Sequence, residues 1–374
     1  MQLHLLLLAF LLLLMLFQYG YMLFFFSAFP KLQQKQKAAE KPVLDEELPP
    51  ISLVVCARNE LKNLQQHLPL WLAQDYPQFE VVVVNDRSWD ESDLWLDEMA
   101  KKHPRLRVRH LRDFDRHWIG KKFALTIGIK AATHDRLVLT DADCSPASPQ
   151  WLRKMGEQAK GDAFVLGYGA YEGKGGVALL SQFETQLSAL HWMSWASKGM
   201  AYMGVGRNLS YTRTTFLEKN GFSGHMHIPS GDDDLFVGRA AKGKKTLVCI
   251  HPQAFTFSPS PESWKKWLAQ KERHLSTAHA YHWVTKSMLG AWGGSSLLSY
   301  GLLVFIPWLW SLHPAWVGLL AGRWLLLWIF YSVANFRLQG KWLGFFLPFF
   351  ELPLLLSQLY LHRRYRAKGI KQTW

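Results

Sequence analysis

Several short clusters in this sequence carry residue types suited to chemistry on a charged, phosphate-bearing substrate. Asp141-Ala142-Asp143 follows the apolar run Leu137-Val-Leu-Thr140. In an extended D-x-D, residues two apart share a face, so both carboxylates can reach one hard cation. Mg2+ and Mn2+ prefer such oxygen ligands and commonly share their shell with substrate phosphates. A dication on a diphosphate can neutralise charge on a departing nucleoside diphosphate. Gly231-Asp232-Asp233-Asp234 is the second cluster. Three adjacent carboxylates repel one another, so their functional reading is a general base that accepts a proton from an attacking hydroxyl. Capping of a helix is the structural alternative, because the apolar stretch Leu235-Phe-Val237 comes next. In the third cluster, from Trp264 to His274, helical spacing puts Gln270 on one face with Arg273 or His274, where they could meet a pyrophosphate. An amphipathic interfacial helix with Trp264, Lys265 and Lys266 at headgroup level competes with that reading.

These clusters must be positioned by a scaffold, and the sequence between about 48 and 281 reads as alternating short apolar runs and amphipathic stretches. Residues 51–56, 81–84, 106–111 and 137–140 read as strands; 59–73, 91–100 and 123–132 have helical spacing. Continuous apolar strands alternating with helices imply an α/β domain with a mainly parallel sheet covered on both faces. Ligands of such sheets bind beyond the carboxyl ends of the strands. The first strand ends in Ala57-Arg58-Asn59-Glu60, the second in Asn85-Asp86-Arg87-Ser88 and the fourth in Asp141-Ala142-Asp143. Any one could be a helix cap; three polar ends on one sheet edge suit a site better.

The chain has 374 residues, 49% hydrophobic, with 18 Trp. That composition excludes a disordered, collagen-like or small disulfide-stapled chain. Cys56, Cys144 and Cys249 lie far apart without metal-ligand spacing, which suits a reducing compartment. Residues 3–29 carry no charge and are long enough to cross a bilayer; no Lys or Arg precedes the run, as a cleaved signal would require. Lys31, Lys35, Lys37 and Lys41 come directly after it, which predicts an uncleaved anchor with the middle of the chain in the cytoplasm. Apolar segments recur at 288–312, 314–336 and 342–361. Arg323 inside the second should face protein or water. Three full crossings would put the tail outside, yet Arg363, Arg364, Arg366, Lys368 and Lys371 favour the inside, so one segment is expected not to span. Lys and Arg total 43 against 29 Asp and Glu, a net +14. Basic residues bordering membrane segments attract anionic headgroups, and no nucleic-acid module is present, so a bilayer and not a nucleic acid is the expected partner of that charge.

Together, Pro50-Ile-Ser-Leu-Val-Val-Cys-Ala-Arg-Asn-Glu60, Val83-Val-Asn-Asp86, Asp141-Ala-Asp143, Gly231-Asp-Asp-Asp234 and Gln270-Lys-Glu-Arg-His274 resemble the family 2 glycosyltransferases in order and approximate spacing. The resemblance implies a GT-A fold (α/β, Rossmann-like), a nucleotide-sugar donor, most often a UDP-sugar, a divalent metal (Mg2+ or Mn2+) and inversion at the anomeric carbon. With the membrane segments read from the residues and the catalytic part from the resemblance, the expected domains are 1–30 (transmembrane helix), 31–48 (basic linker), 49–284 (cytoplasmic catalytic domain, with an interfacial helix near 262–283), 285–362 (two or three membrane segments) and 363–374 (basic tail).

Carried over by position, Asp86 resembles the carboxylate holding the uracil or ribose end of the donor. Ala57, Arg58 and Glu60 resemble the first nucleotide loop, Asp143 the metal ligand, and Asp141 its partner touching the donor. Asp233 aligns with the family's catalytic base, with Asp232 and Asp234 as rivals. Gln270 and Arg273 resemble the first and fourth positions of the Q-x-x-R-W motif beside the donor diphosphate. His274 stands where polysaccharide synthases have Trp, and the membrane part is small. Both point away from a processive synthase and towards single addition to a membrane-associated glycolipid or lipid-linked saccharide in cell-envelope or exopolysaccharide biosynthesis, at a bacterial inner membrane. Lys121 or Lys122, after Gly120, could meet phosphate or be a surface pair. A polyprenyl-phosphate sugar synthase and a catalytically dead nucleotide-sugar-binding scaffold are the alternatives. The sugar, the base and the acceptor stay open.

Overall fold

The computed structural model describes residues 2–32, 43–112 and 120–368. Lys35, Lys37 and Lys41 of the basic linker and Lys371 of the tail lie outside them. Helix α1 (Gln2–Tyr21) leads into a π-helical turn, Met22–Phe26. Next come β1 (Ile51–Ala57), α2 (Leu61–Leu72), β2 (Phe79–Asp86), α3 (Ser92–Lys102), β3 (Leu106–Leu111), α4 (Lys121–Ala131), β4 (Arg136–Asp141), β5 (Ser145–Pro146), α5 (Trp151–Gln158), β6 (Phe164–Gly167), β7 (Gly169–Glu172) and α6 (Gly176–Ser197). The domain continues through β8 (Leu209–Thr212), α7 (Arg213–Glu218), α8 (Asp234–Ala240), β9 (Thr246–Cys249), β10 (Thr256–Pro259) and α9 (Trp264–Ala278). Four helices close the chain: α10 (Trp283–Gly301), α11 (Ile306–Leu312), α12 (Pro314–Arg337) and α13 (Leu347–Lys368).

The main sheet runs β3-β2-β1-β4-β8-β6-β9, and β8 alone is antiparallel to both its neighbours. The central strands are apolar on both faces: Ile51, Leu53, Val54 and Val55 of β1 and Val81 to Val84 of β2 are fully buried. Burial on both sides fixes register, because a one-residue slip would exchange the faces. That register sets Cys56 opposite both Val84 and Asp141, and Ala57 opposite Asn85, so the polar ends of β1, β2 and β4 arrive at one edge as the pattern requires. The antiparallel β8 starts at the same edge, with Leu209 opposite Leu139, so the preceding Gly206-Arg207 joins it. A small second sheet, β5-β10-β7, flanks the first.

Three helices among the described residues are long and apolar enough to cross a membrane: Leu8–Leu32, Trp283–Phe305 and Pro314–Arg337. The first does not stop at the domain surface. Tyr21, Met22, Phe25, Phe26 and Phe29 are buried in one core with α6. Phe25 stacks on Trp195 at 4.5 Å, and the Trp195 indole donates to Tyr21 Oη at 2.9 Å. Trp192 and Trp195 are thus core residues, as their helical spacing allows.

Arg323 faces protein. It is fully buried, pairs with Glu351 of α13 at 3.0 Å, and donates to Gln18 Oε1 of α1 (3.1 Å) and Ser296 Oγ of α10 (2.8 Å). One guanidinium thereby joins four helices, and its partners compensate the loss of water. Tyr331 of α12 donates to Gln186 of α6 (3.2 Å), so α12 returns to the domain that α10 leaves. Helix α13 then packs on the domain at both ends: the Phe350 ring lies 5.3 Å from Phe183, and Arg364 pairs with Glu272 of α9 at 2.6 Å. The third C-terminal segment is therefore the one that does not run away from the domain.

Candidate active site

At the sheet edge, Asp141 is the last residue of β4, and Lys121, the first residue of α4, donates to its Oδ1 at 2.7 Å. The same ammonium lies 2.9 Å from Asp232 Oδ2. Burial opposes the charge on Lys121, but Asp141, Asp232 and Asp233 outweigh it and hold the group well above the ordinary lysine range. Gly120, at φ +118°, turns the chain into α4 and brings this lysine to the site. Sequence spacing alone allows Lys121 a phosphate contact or a place in a surface pair; in the fold it bridges two acidic clusters. Lys122 instead donates to the carbonyls of His225 and Ile228, anchoring the segment before the triplet.

The donor atoms of Asp141, Asp143 and Cys144 all lie within 4.8 Å of one another. Burial first, then the Asp141 charge, raises the Asp143 carboxyl, against Arg207 and Lys121. Burial also holds the Cys144 thiol well above its usual range, so it stays protonated. Two carboxylate oxygens beside a neutral thiol fit a hard, oxygen-preferring dication such as Mg2+ or Mn2+ and offer no soft thiolate.

The three aspartates of the second cluster do three different things. Asp232 is buried, yet Lys121 keeps it below the usual carboxylate range. Asp233 caps α8 through the Asp234 amide at Oδ1, and Oδ2 accepts from the Gly206 amide, each at 2.7 Å. Burial, then the charges of Asp232 and Asp234, push Asp233 up to about 7, against Lys121 and the Gly206 N–H. Capping and a raised proton affinity therefore coexist in one residue. Asp234 is held from α9 and just beyond: Thr277 Oγ1 and Tyr281 Oη both donate to its Oδ2, the latter at 2.7 Å.

Helix α9 covers the site. Gln270 donates to Tyr171 Oη at 2.7 Å, and its own Oε1 is buried with no partner among the described residues. Arg207 lies 4.0 Å above the Tyr171 ring and donates to Ser258 Oγ at 2.8 Å. Trp264 is exposed and Trp267 is buried, and their rings meet edge to face at 6.0 Å on one side of the helix.

Asp141, Asp143, Asp232, Asp233, Gln270, Arg273 and His274 line one cavity of about 710 Å³. A second, of about 330 Å³, shares Lys121, Asp141, Asp143 and Arg273 with it and adds Arg58 and Glu60. Arg58 lies 5.7 Å from the Trp89 ring. Burial raises the Glu60 carboxyl against its Asn63 hydrogen bond, and the Asp143 and Asp141 charges add to the rise. Ala57 and Asp86 line neither cavity. Ala57 is buried at the end of β1; Asp86 is buried at the end of β2, paired to Arg87 through Oδ1, with Oδ2 lacking a partner among the described residues. Such an orphaned acceptor is what a ligand hydroxyl or N–H would satisfy. Lys121 as a bridge, Tyr171, and the Thr277–Tyr281 hold on Asp234 are site features with no signature in the sequence.

The model of the glycosyltransferase like family 2 matches residues 49–277. An uncharacterized glycosyltransferase of Haemophilus influenzae is 25% identical over 126 residues, 34% of this chain and 38% of its own length. The probable glycosyltransferase YdaM of Bacillus subtilis is 26% identical over 244 residues, 61% of this chain and 54% of its own length. The chain thus matches about half or less of these relatives. Among solved structures, the mannosyltransferase PcManGT of Pyrobaculum calidifontis, in complex with GDP-Man and Mn2+, has a TM-score of 0.52 at 17% identity, covering 88% of this chain and 98% of that one. That likeness is one of fold, and the fold is GT-A.

Proposed function

Because this chain belongs to the glycosyltransferase like family 2, we propose that it is a membrane-bound, inverting glycosyltransferase that moves one sugar from a nucleotide-sugar to an acceptor held at the membrane. The observation that carries this reading is the single cavity lined by the D-x-D carboxylates, the acidic triplet and the Gln270–Arg273 face of α9. The smaller cavity beside it, with Arg58 and Glu60, is the proposed nucleotide end, and the buried Asp86 the contact further along the base or ribose. PcManGT was solved with GDP-Man and Mn2+, which supports a nucleotide-sugar donor and a divalent cation here. Uracil is the donor base expected from the family habit, in a UDP-sugar.

In this reading Asp143 and Asp141 hold Mg2+ or Mn2+, which when bound supplies positive charge to the diphosphate. Asp233 takes the proton from the acceptor hydroxyl as the oxygen attacks the anomeric carbon from the face opposite the diphosphate. Lys121 pairs with Asp141 and keeps Asp232 ionised, and Arg273, shared by both cavities, meets the charge that develops on the departing diphosphate. Gln270 and His274 border the donor from α9. With α10 leaving the domain and α12 returning to it, Arg363 and Arg364 lie on the domain's side, as Lys31 does at the end of the first span; positive flanks support a cytoplasmic domain at a bacterial inner membrane. Cell-envelope or exopolysaccharide assembly is the proposed setting.

The test is a donor screen on the full chain in detergent, following nucleoside diphosphate release from UDP-, GDP- and TDP-sugars with Mn2+ or Mg2+. Metal-dependent release from one donor, lost in Asp143→Ala, is the expected result. Neither binding nor release of any nucleotide-sugar would overturn the proposal in favour of a dead scaffold.

A further inference from the structure

A third cavity, of about 540 Å³, lies between α9, α10 and α13. His274 and Tyr281 line both it and the main cavity, and Tyr281 is the residue that holds Asp234. The two cavities therefore share a wall at His274 and Tyr281, with the acidic triplet on its other side.

Its two ends differ in chemistry. Gly290, Gly293 and Gly294 of α10 face it within the candidate span Trp283–Phe305, opposite Leu355. A Cβ built on Gly290 or Gly294 would meet nothing within 4 Å, and one on Gly293 would meet Leu355 only at 4.0 Å. The missing side chains thus leave the helices apart, with an apolar seam between them. At the other end stand Lys286, and Lys271 with its partner Glu184 (2.5 Å). Trp267 also lines this end; it is 3% exposed, and its Nε1 has no acceptor among the described residues. A buried N–H donor without an acceptor calls for an oxygen-bearing ligand.

We propose that this groove holds the acceptor as a bilayer lipid, its apolar chain along the glycine seam of α10 and its phosphate headgroup at Trp267, Lys271 and Lys286. The inference rests on the membrane-acceptor reading above and gives that acceptor a chemical class and an entry route. The lipid enters sideways between α10 and α13, and a hydroxyl carried beyond its phosphate passes His274 and Tyr281 to reach Asp233.

The test uses the full chain in nanodiscs of neutral lipid containing a trace of diazirine-bearing phosphatidic acid or of diacylglycerol with the same chains. After illumination, labelled peptides are mapped by mass spectrometry. Labelling concentrated at 286–297 and 355–362, several-fold higher for phosphatidic acid, is expected. Gly293→Leu should lower that labelling several-fold, and Lys286→Gln should bring the phosphatidic acid signal towards that of diacylglycerol. Equal labelling by the two probes, or labelling spread over the outer faces of α10 and α12 and unmoved by Gly293→Leu, would overturn the proposal. Because labelling needs no turnover, donor release measured on the same nanodiscs separates the two readings. Labelling as expected with neither binding nor release of a nucleotide-sugar supports the groove and counts against the transferase; release with dispersed labelling overturns the groove alone.

Discussion

Lys121 donates to Asp141 across 2.7 Å while the same ammonium faces Asp232 at 2.9 Å. One cation thus ties the end of β4 to the turn before α8, two segments far apart in the chain. Lys121→Met would leave two part-buried carboxylates without their counter-charge. A loss of about 1–3 kcal/mol in stability is expected, the usual cost of a buried group left unsatisfied. It is read as a lower midpoint of thermal unfolding in detergent. An unchanged midpoint would show that the bridge is ornamental.

Asp233 sits at about 7 because burial and two neighbouring carboxylates disfavour its charge. A base must be unprotonated, so turnover should fall on the acidic side with a midpoint near 7. Asp233→Asn should keep nucleotide binding and lose about 10² to 10⁴-fold in rate. Its raised affinity for a proton also means that its contribution to folding declines as pH rises from the unfolded value of about 4 towards 7. Near wild-type turnover in Asp233→Asn, with loss in Asp232→Asn, would move the base one residue back.

Asp143→Ala removes one of the two carboxylates suited to a hard cation, and the protonated Cys144 cannot replace it. Stimulation of diphosphate release by Mn2+ should disappear while the fold persists. Circular dichroism and a metal titration of activity check both halves. Cys144→Ser, by contrast, should leave the metal response as it was.

Glu351→Leu would strand the fully buried Arg323 among four helices. Breaking such a pair from one side costs about 3–5 kcal/mol, whereas replacing both partners by apolar groups is often neutral. The single variant should fail to accumulate as monodisperse protein, and Arg323→Leu/Glu351→Leu should recover much of the yield. Size-exclusion profiles in detergent decide between them. Equal yields of single and double variants would mean that the pair holds nothing together.

The strands, their order of polar endings and the acidic clusters are readable in the sequence because each is a local pattern. Short β-branched apolar runs such as Val81 to Val84 suit central strands buried on both faces, and the residues just past a central strand lie at the sheet edge. The separate duties of Asp232, Asp233 and Asp234 are not readable in that way. They depend on Lys121, Gly206 and Tyr281, which come from other segments and reach the triplet only through packing; Tyr281 is 47 residues from Asp234. Membrane topology resists sequence reading for a related reason. Composition counts apolar residues in 342–361 but does not show that Phe350 and Arg364 both return to the domain.

The burial of Tyr21, Phe25, Phe26 and Phe29 in one core with Trp195 bears on how this protein can be handled and how it works. The first span is rooted in the domain's core, so a shortened version beginning near residue 49 would uncover Trp195 and His191 to water and should precipitate. In the intact chain the same rooting removes the freedom of a tethered domain to tumble. In the proposed membrane-bound state the candidate site is thereby held at one height and one tilt above the lipid surface, and the acceptor has to come to that address.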